Sequence, residues 1–213
     1  MLLTLASAAA MVSCGQKSAK DGDENFRYLI DQFADIKIMR YRIPGWEDLS
    51  LRQKEYIYHL SEAAKYGWDI HWDQNCRYNL DVRNVLQDII EKYDGDRNCG
   101  DYADFLVYAK RVFFSNGIHH HYAEDKFTPE CSEEYFRSLM EAVGHGEECD
   151  TLLPVIYDPS ILAQRRSSDP EGDIVALSAV NFYEGVTREE VEAYYDSIID
   201  RNDPHPISYG LNT

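Results

Sequence analysis

Between Asn79 and Tyr93, the apolar residues Val82, Val85, Leu86, Ile89 and Ile90 recur at the spacing of one helical face. That period predicts a helix, with Gly95 ending it. Tyr102 to Phe114 is a second apolar-rich run. It stops at Asn116-Gly117, a pair that ends helices or makes turns. Two such neighbours, each with one apolar face, need partners and set a mainly helical fold class.

Further helices are read from their start signals. Ser50-x-x-Gln53 is a capping box. It opens a helix carrying Leu51, Tyr56, Ile57 and Leu60 inside and running to Tyr66-Gly67. Thr187-Arg188-Glu189-Glu190 is a second capping box, before a helix through Ile199. Ser132-Glu133-Glu134-Tyr135 begins a short helix to Val143, and Leu152 to Gln164 reads as two turns around Pro159. Glu24 to Phe33 carries Phe26, Leu29, Ile30 and Phe33 as a helical stripe. Extended structure is expected from Ile36 to the stop at Pro44-Gly45, from Asp173 to Val180 and from Pro206 to Asn212, with a turn over Asn181 to Gly185. The expected class is mainly α with a few strands, α+β.

The first 23 residues differ from the rest. Residues 2–13 carry no charge and are mostly apolar. They are too short to cross a bilayer, which takes roughly 20 residues. They fit a secretion signal over 1–13. Met11-Val12-Ser13-Cys14-Gly15 resembles a bacterial lipobox, with cleavage before Cys14 and lipidation of its thiol. Met11 stands where leucine is usual, and no Lys or Arg precedes the apolar run. Residues 14–23 then form a polar tether, and 24–213 an incomplete domain continuing beyond the chain end. The expected location is the cell envelope, on the periplasmic side or the outer-membrane surface of a Gram-negative bacterium.

The net charge of −17 argues against nucleic acid, whose phosphates need clustered Lys and Arg. Cys76, Cys99, Cys131 and Cys149 form no C-x-x-C pair, which excludes zinc-ribbon and thioredoxin motifs. Their even number permits disulfides, and isolated thiols fit equally.

His119, His120 and His121 cannot all face one metal. Neighbours alternate faces in an extended segment, so at most His119 and His121 converge. A structural zinc site needs four ligands, so Asp or Glu would have to come from elsewhere. A loop presenting imidazoles and Tyr122 at a cleft edge is the alternative, as is a plain polar loop. His145-Gly146-Glu147-Glu148-Cys149 lacks the second histidine of H-E-x-x-H and reads as a loop. The chain has no G-x-S-x-G, phosphate-binding glycine loop or dinucleotide fingerprint. Asp101, Asp104, Glu133, Glu134, Glu189 and Glu190 lie at helix starts, where negative charge favours the dipole.

Four long blocks resemble one family. LVYAKRVFFSNGIHHHYAEDKFTP spans 106–129, and YRIPGWEDLSLRQKEYIYHLSEAAKYGWDI begins at Tyr41. SAVNFYEGVTREEVEAYYDSI begins at Ser178, and PISYGLNT closes the chain. Their order and spacing resemble the N-terminal region of dipeptidyl peptidase III, a zinc exopeptidase family, nearest its Bacteroides-type branch. The resemblance covers about 24–213.

It implies a two-lobed fold with a wide cleft, of which this chain is the N-terminal part of the lower lobe. That lobe holds a five-stranded barrel and helices. The helical upper lobe carries H-E-x-x-G-H and a downstream glutamate. There a zinc-activated water attacks the second peptide bond of a short peptide and releases a dipeptide. This sequence contains neither zinc motif nor glutamate, so zinc would be bound by residues beyond this segment. No residue of this segment is then catalytic or a metal ligand, and the segment alone is expected to be inactive. The resemblance places Tyr122 against bound peptide, with His119 to His121 and Asn116 at the cleft edge. Without it, a non-catalytic helical lipoprotein binding a peptide or envelope partner, or one holding metal through His119 and His121, remains open.

Overall fold

The computed structural model describes residues 26–169, 171–206 and 210–211. The expected signal segment at 1–13, the lipidation of Cys14 and the tether lie outside the described residues. So do residues 207–209 and 212 of the expected closing strand. The chain divides into two units, Met1–Ile43 and Pro44–Thr213. Among the described residues it is mainly helical with one small two-stranded sheet, an α+β protein.

In the first unit, β1 (Leu29–Phe33) pairs antiparallel with β2 (Ile36–Met39). The Phe33↔Ile36 pair closes a tight turn in which Ala34 takes φ 46°. This corrects the helix expected over 24–33. An isolated helix of about ten residues is marginal, whereas the β-branched run at Ile36–Ile38 gives the segment a ladder partner. Leu29 pairs with Met39, and the register slips between Leu29 and Asp31. The extended run from Ile36 is as read from the sequence, although the strand ends at Met39.

In the second unit, α1 (Leu51–Tyr66) starts at the Ser50 capping box, whose side chain accepts from Gln53 N while Gln53 Oε1 accepts from Ser50 N. α1 buries none of its residues. Leu51, Tyr56 and Leu60 are each more than half exposed, so the apolar spacing did not mark a core face. After Gly67 the chain turns directly into α2 (Trp68–Asn75), a helix the sequence reading did not foresee.

The core lies where α3 (Asn79–Lys92), α4 (Gly100–Ser115), α5 (Glu133–Ala142) and α6 (Cys149–Tyr157) meet. α3 buries Val82, Val85, Leu86 and Ile89 as expected, but ends at Lys92 rather than at Gly95. Phe136 of α5 is fully buried, with its ring edge-on to Phe105 at 5.4 Å and to Tyr108 at 6.0 Å. Edge-to-face pairing adds to the burial of such rings. Truncating Phe136 to alanine would cost roughly 3–5 kcal/mol.

α6 occupies 149–157, earlier than the two turns expected around Pro159. A proline disfavours helical backbone in the residue before it, and Asp158 is extended at ψ 112°. The Lys126 ammonium closes the helix end by donating to the carbonyls of Val155, Asp158 and Ile161 at 2.8, 2.5 and 2.7 Å. These orphan acceptors at a C-terminus favour a cation. The strand expected over 173–180 is instead the short α7 (Ile174–Leu177), because Asp173 accepts from the backbone of Val175 and Ala176. Its extended remainder survives as a bridge between Ser178 and Gln164. The Thr187 capping box opens α8 (Arg188–Ile198) as expected. Cys76, Cys99, Cys131 and Cys149 are unbridged thiols, three of them buried.

Candidate functional site

The triple histidine is fixed by the residues before it. α4 ends with Asn116 in left-handed geometry at φ 55° and ψ 43°. Gly117 follows at φ 151°, where a Cβ would sit 2.3 Å from Asn79 Nδ2. Only glycine takes such backbone freely. Buried Asn79 donates to the Trp72 carbonyl at 2.9 Å and accepts the Ile118 backbone N–H at 3.1 Å. One amide therefore joins the end of α2, the start of α3 and the segment leaving α4.

The three imidazoles then diverge. His119 is buried, and its Nε2 donates to the Leu162 carbonyl at 2.8 Å. Its Nδ1 has no hydrogen-bond partner among the described residues. Burial pushes the imidazole down to about 4, against the opposing effect of the Leu162 carbonyl, so it is neutral near pH 7. His120 Nδ1 accepts the backbone N–H groups of Tyr122 at 3.2 Å and Ala123 at 2.9 Å, closing the turn. His121 Nδ1 lies 3.3 Å from Ser115 Oγ. Its ring meets Phe114 at 5.1 Å, stacks on His120 at 4.6 Å and touches Tyr122 at 4.3 Å. His119 and His121 thus have separate partners. Among the described residues no group of three or more His, Cys, Asp or Glu could hold a metal ion.

His121 and Asn116 line one groove of about 460 Å³. Ala64 and Gly67 at the end of α1, Trp68, His71 and Asn75 of α2, and Ser115 and Arg165 complete the lining. The Trp68 indole Nε1 donates to Asn116 Oδ1 at 2.7 Å, and Asn75 Nδ2 donates to the Asn116 carbonyl at 3.3 Å. These bonds set the width of the groove where the two helices approach. Tyr122 is 84% exposed and stands against His121 outside the lining. The structure therefore brings two of the three sequence-predicted residues into one hollow and leaves Tyr122 on its shoulder.

Arg165 was not foreseen, and nothing local in the sequence marks it. Its Nε and Nη2 donate to the two Glu124 oxygens, both at 2.8 Å, and Nη2 also reaches the His121 carbonyl at 3.2 Å. Such a forked pair fixes orientation as well as charge. Arg166 adds a bond at 2.6 Å to the same carboxylate. The Arg165 hydrogen bond, joined by Arg166, outweighs burial and holds Glu124 down at about 2. Glu124 itself sits at φ 67°, in a turn where Arg165 N donates to its carbonyl at 2.8 Å. The Asn181 turn, read from the sequence as structural, is held against α2. Its backbone N donates to the Gln74 carbonyl at 2.9 Å, tying the turn to α2.

The His145 loop holds elements together. His145 Nε2 lies 2.9 Å from Asp88 of α3, and Nδ1 lies 3.0 Å from Glu148 at the start of α6. The two ring nitrogens face opposite carboxylates, which suits an imidazolium clamp and not a shared metal.

No protein-family model matches the chain, and no curated protein matches it. Among the described residues no helix is long and apolar enough to cross a membrane.

Proposed function

We propose that this chain is the substrate-side portion of a zinc-dependent, dipeptidyl peptidase III-like exopeptidase that releases dipeptides from the N-terminus of short peptides. The supporting observation is that Asn116 and His121 line one groove with Tyr122 against His121. Those are the positions that the resembling block 106–129 assigns to the peptide. In this reading the chain belongs to the lower lobe of a two-lobed enzyme, anchored in the cell envelope through a lipid on Cys14.

The described residues hold no cluster that fits zinc. No step through the metal is derived, and its ligands are assigned to residues outside this chain. The groove contributes position: the Asn116 carbonyl and the His121 ring offer polar contacts, and Tyr122 offers an aromatic face with a hydroxyl tip.

The test reads the coding frame past codon 213 and assays the purified product on dipeptidyl arylamides. An H-E-x-x-G-H motif downstream, with dipeptide release abolished by a chelator and restored by zinc, is the expected result. A frame without that motif and a product without chelator-sensitive release overturn the proposal.

A further inference from the structure

The described hollows of this protein differ in charge. The hollow beside α8 is lined by Glu192, Asp196, Asp200 and Asp203 together with Arg201. The one beside Lys126 includes Asp125 and Asp169. The groove at Asn116 and His121 has no carboxylate in its described lining, although the chain carries 38 Asp and Glu and a net charge of −17. Its ionisable lining groups are His71, His121 and Arg165.

Arg165 has capacity to spare. Nε and Nη2 are engaged by Glu124 and the His121 carbonyl, while Nη1 makes no hydrogen bond among the described residues. Glu124 carries one negative charge and meets two arginines, so this trio keeps a net positive charge beside the groove. Arg165 and Glu124 are mostly buried, at 15% and 18% side-chain exposure. Charge there is screened less than on an open surface. A cleft lined by one sign of charge concentrates ligands of the other sign.

We infer that this groove binds a carboxylate, the C-terminal α-carboxylate of a short peptide, through Arg165, with His71 and His121 in the same lining. This rests on the peptide-binding reading above and adds to it the end of the peptide that is held. Arg165 Nη1 supplies the charged donor. His71, on the exposed face of α2, supplies an imidazole donor, and His121, beside α4, lines the same groove. A peptide anchored this way extends out of the groove, so affinity depends on the free terminus rather than on side-chain identity.

The experiment titrates the isotopically labelled chain with tetra-alanine, with tetra-alanine amide and with acetate. The Trp68 indole N–H and Asn116 side-chain signals report groove occupancy. The expected result is binding of the free acid at least tenfold tighter than the amide. His71→Gln should weaken the acid at least threefold and leave the amide unchanged. Its side chain is exposed on α2, so the variant keeps the fold. Equal affinity for acid and amide overturns the carboxylate inference and leaves the peptide-binding reading standing. Acetate alone shifting the groove signals, with neither peptide doing so, overturns both the peptide α-carboxylate inference and the peptide reading and leaves a small-anion site only. Signals unmoved by all three overturn both.

Discussion

Trp68 donates its indole N–H to the Asn116 side-chain oxygen at 2.7 Å, joining two residues 48 positions apart. Trp68 opens α2, and Asn116 is the left-handed residue that ends α4. Trp68→Phe keeps most of the ring and removes the donor. The expected loss is about 1 kcal/mol of stability, with weaker peptide binding because the groove wall is no longer pinned. Urea unfolding and peptide titration of the same variant read both effects.

Gly117→Ala places a methyl group 2.3 Å from Asn79 Nδ2 on a backbone at φ 151°. Steric overlap and disallowed backbone act together. The expected destabilisation is roughly 2–4 kcal/mol, read by denaturant midpoint. Combining it with Asn79→Ala relieves the overlap and leaves the Ile118 N–H unsatisfied, so the double variant should lose less than the sum of the two singles.

The Glu124 carboxylate is lowered from the ordinary 4.5 to about 2 by Arg165, with Arg166 adding to the effect. A depressed carboxylate contributes stability that is present above the unfolded value and lost as pH falls through the folded one. Stability should therefore decline between about 4.5 and 2 as this group takes up its proton. Glu124→Gln should flatten that part of the acid unfolding profile. An unchanged profile would mean that the arginine pair does not hold the carboxylate in solution.

His145 has the opposite sign. Burial opposes its charge, but the hydrogen bonds to Asp88 and Glu148 outweigh it, so its pKa stands above 6.5. Its contribution is fully present below the unfolded value and is lost as pH rises through the folded one. Asp88 is lowered chiefly by Lys92 and then by His145, and Glu148 chiefly by His145. Nuclear magnetic resonance should place the His145 midpoint above 6.5, and His145→Gln should remove the part of the stability loss that sets in as pH rises above 6.5. A midpoint at or below the ordinary value would show that the clamp does not close.

In the peptidase proposed above, Tyr122→Ala should raise KM more than it lowers kcat. That split marks binding lost equally from the ground and transition states. The ring is 84% exposed, so the variant carries little folding cost. An unchanged KM would remove Tyr122 from the peptide site.

Much of the helical frame was legible because its signals are local. The Ser50–Gln53 and Thr187–Glu190 boxes each need only four consecutive residues, and both form as read. Asn116-Gly117 likewise carries its own stop. The two misreadings have different causes, one non-local and one a local cap. The 24–33 segment has apolar spacing compatible with either state, and pairing with Ile36–Met39 decides it. Asp173 captures two backbone N–H groups and turns an apolar run into α7. For the groove, the loop after α4 could be picked out by its motif. His71 and Arg165 could not, since they reach it only through the packing of α2 and the pairing of Arg165 with Glu124.

α1 folds over sixteen residues and buries none of them. Its order rests on the Ser50 box and on end contacts, while α3 and α4 carry fully buried side chains. Local opening costs least where few apolar contacts are given up. The amide protons of α1 are therefore expected to exchange with solvent through fraying that leaves the rest of the second unit intact. The groove wall at Ala64 and Gly67 belongs to that early-exchanging stretch. A ligand seated there would be read first as slowed exchange in the last turn of α1, before any change in the melting of the protein as a whole.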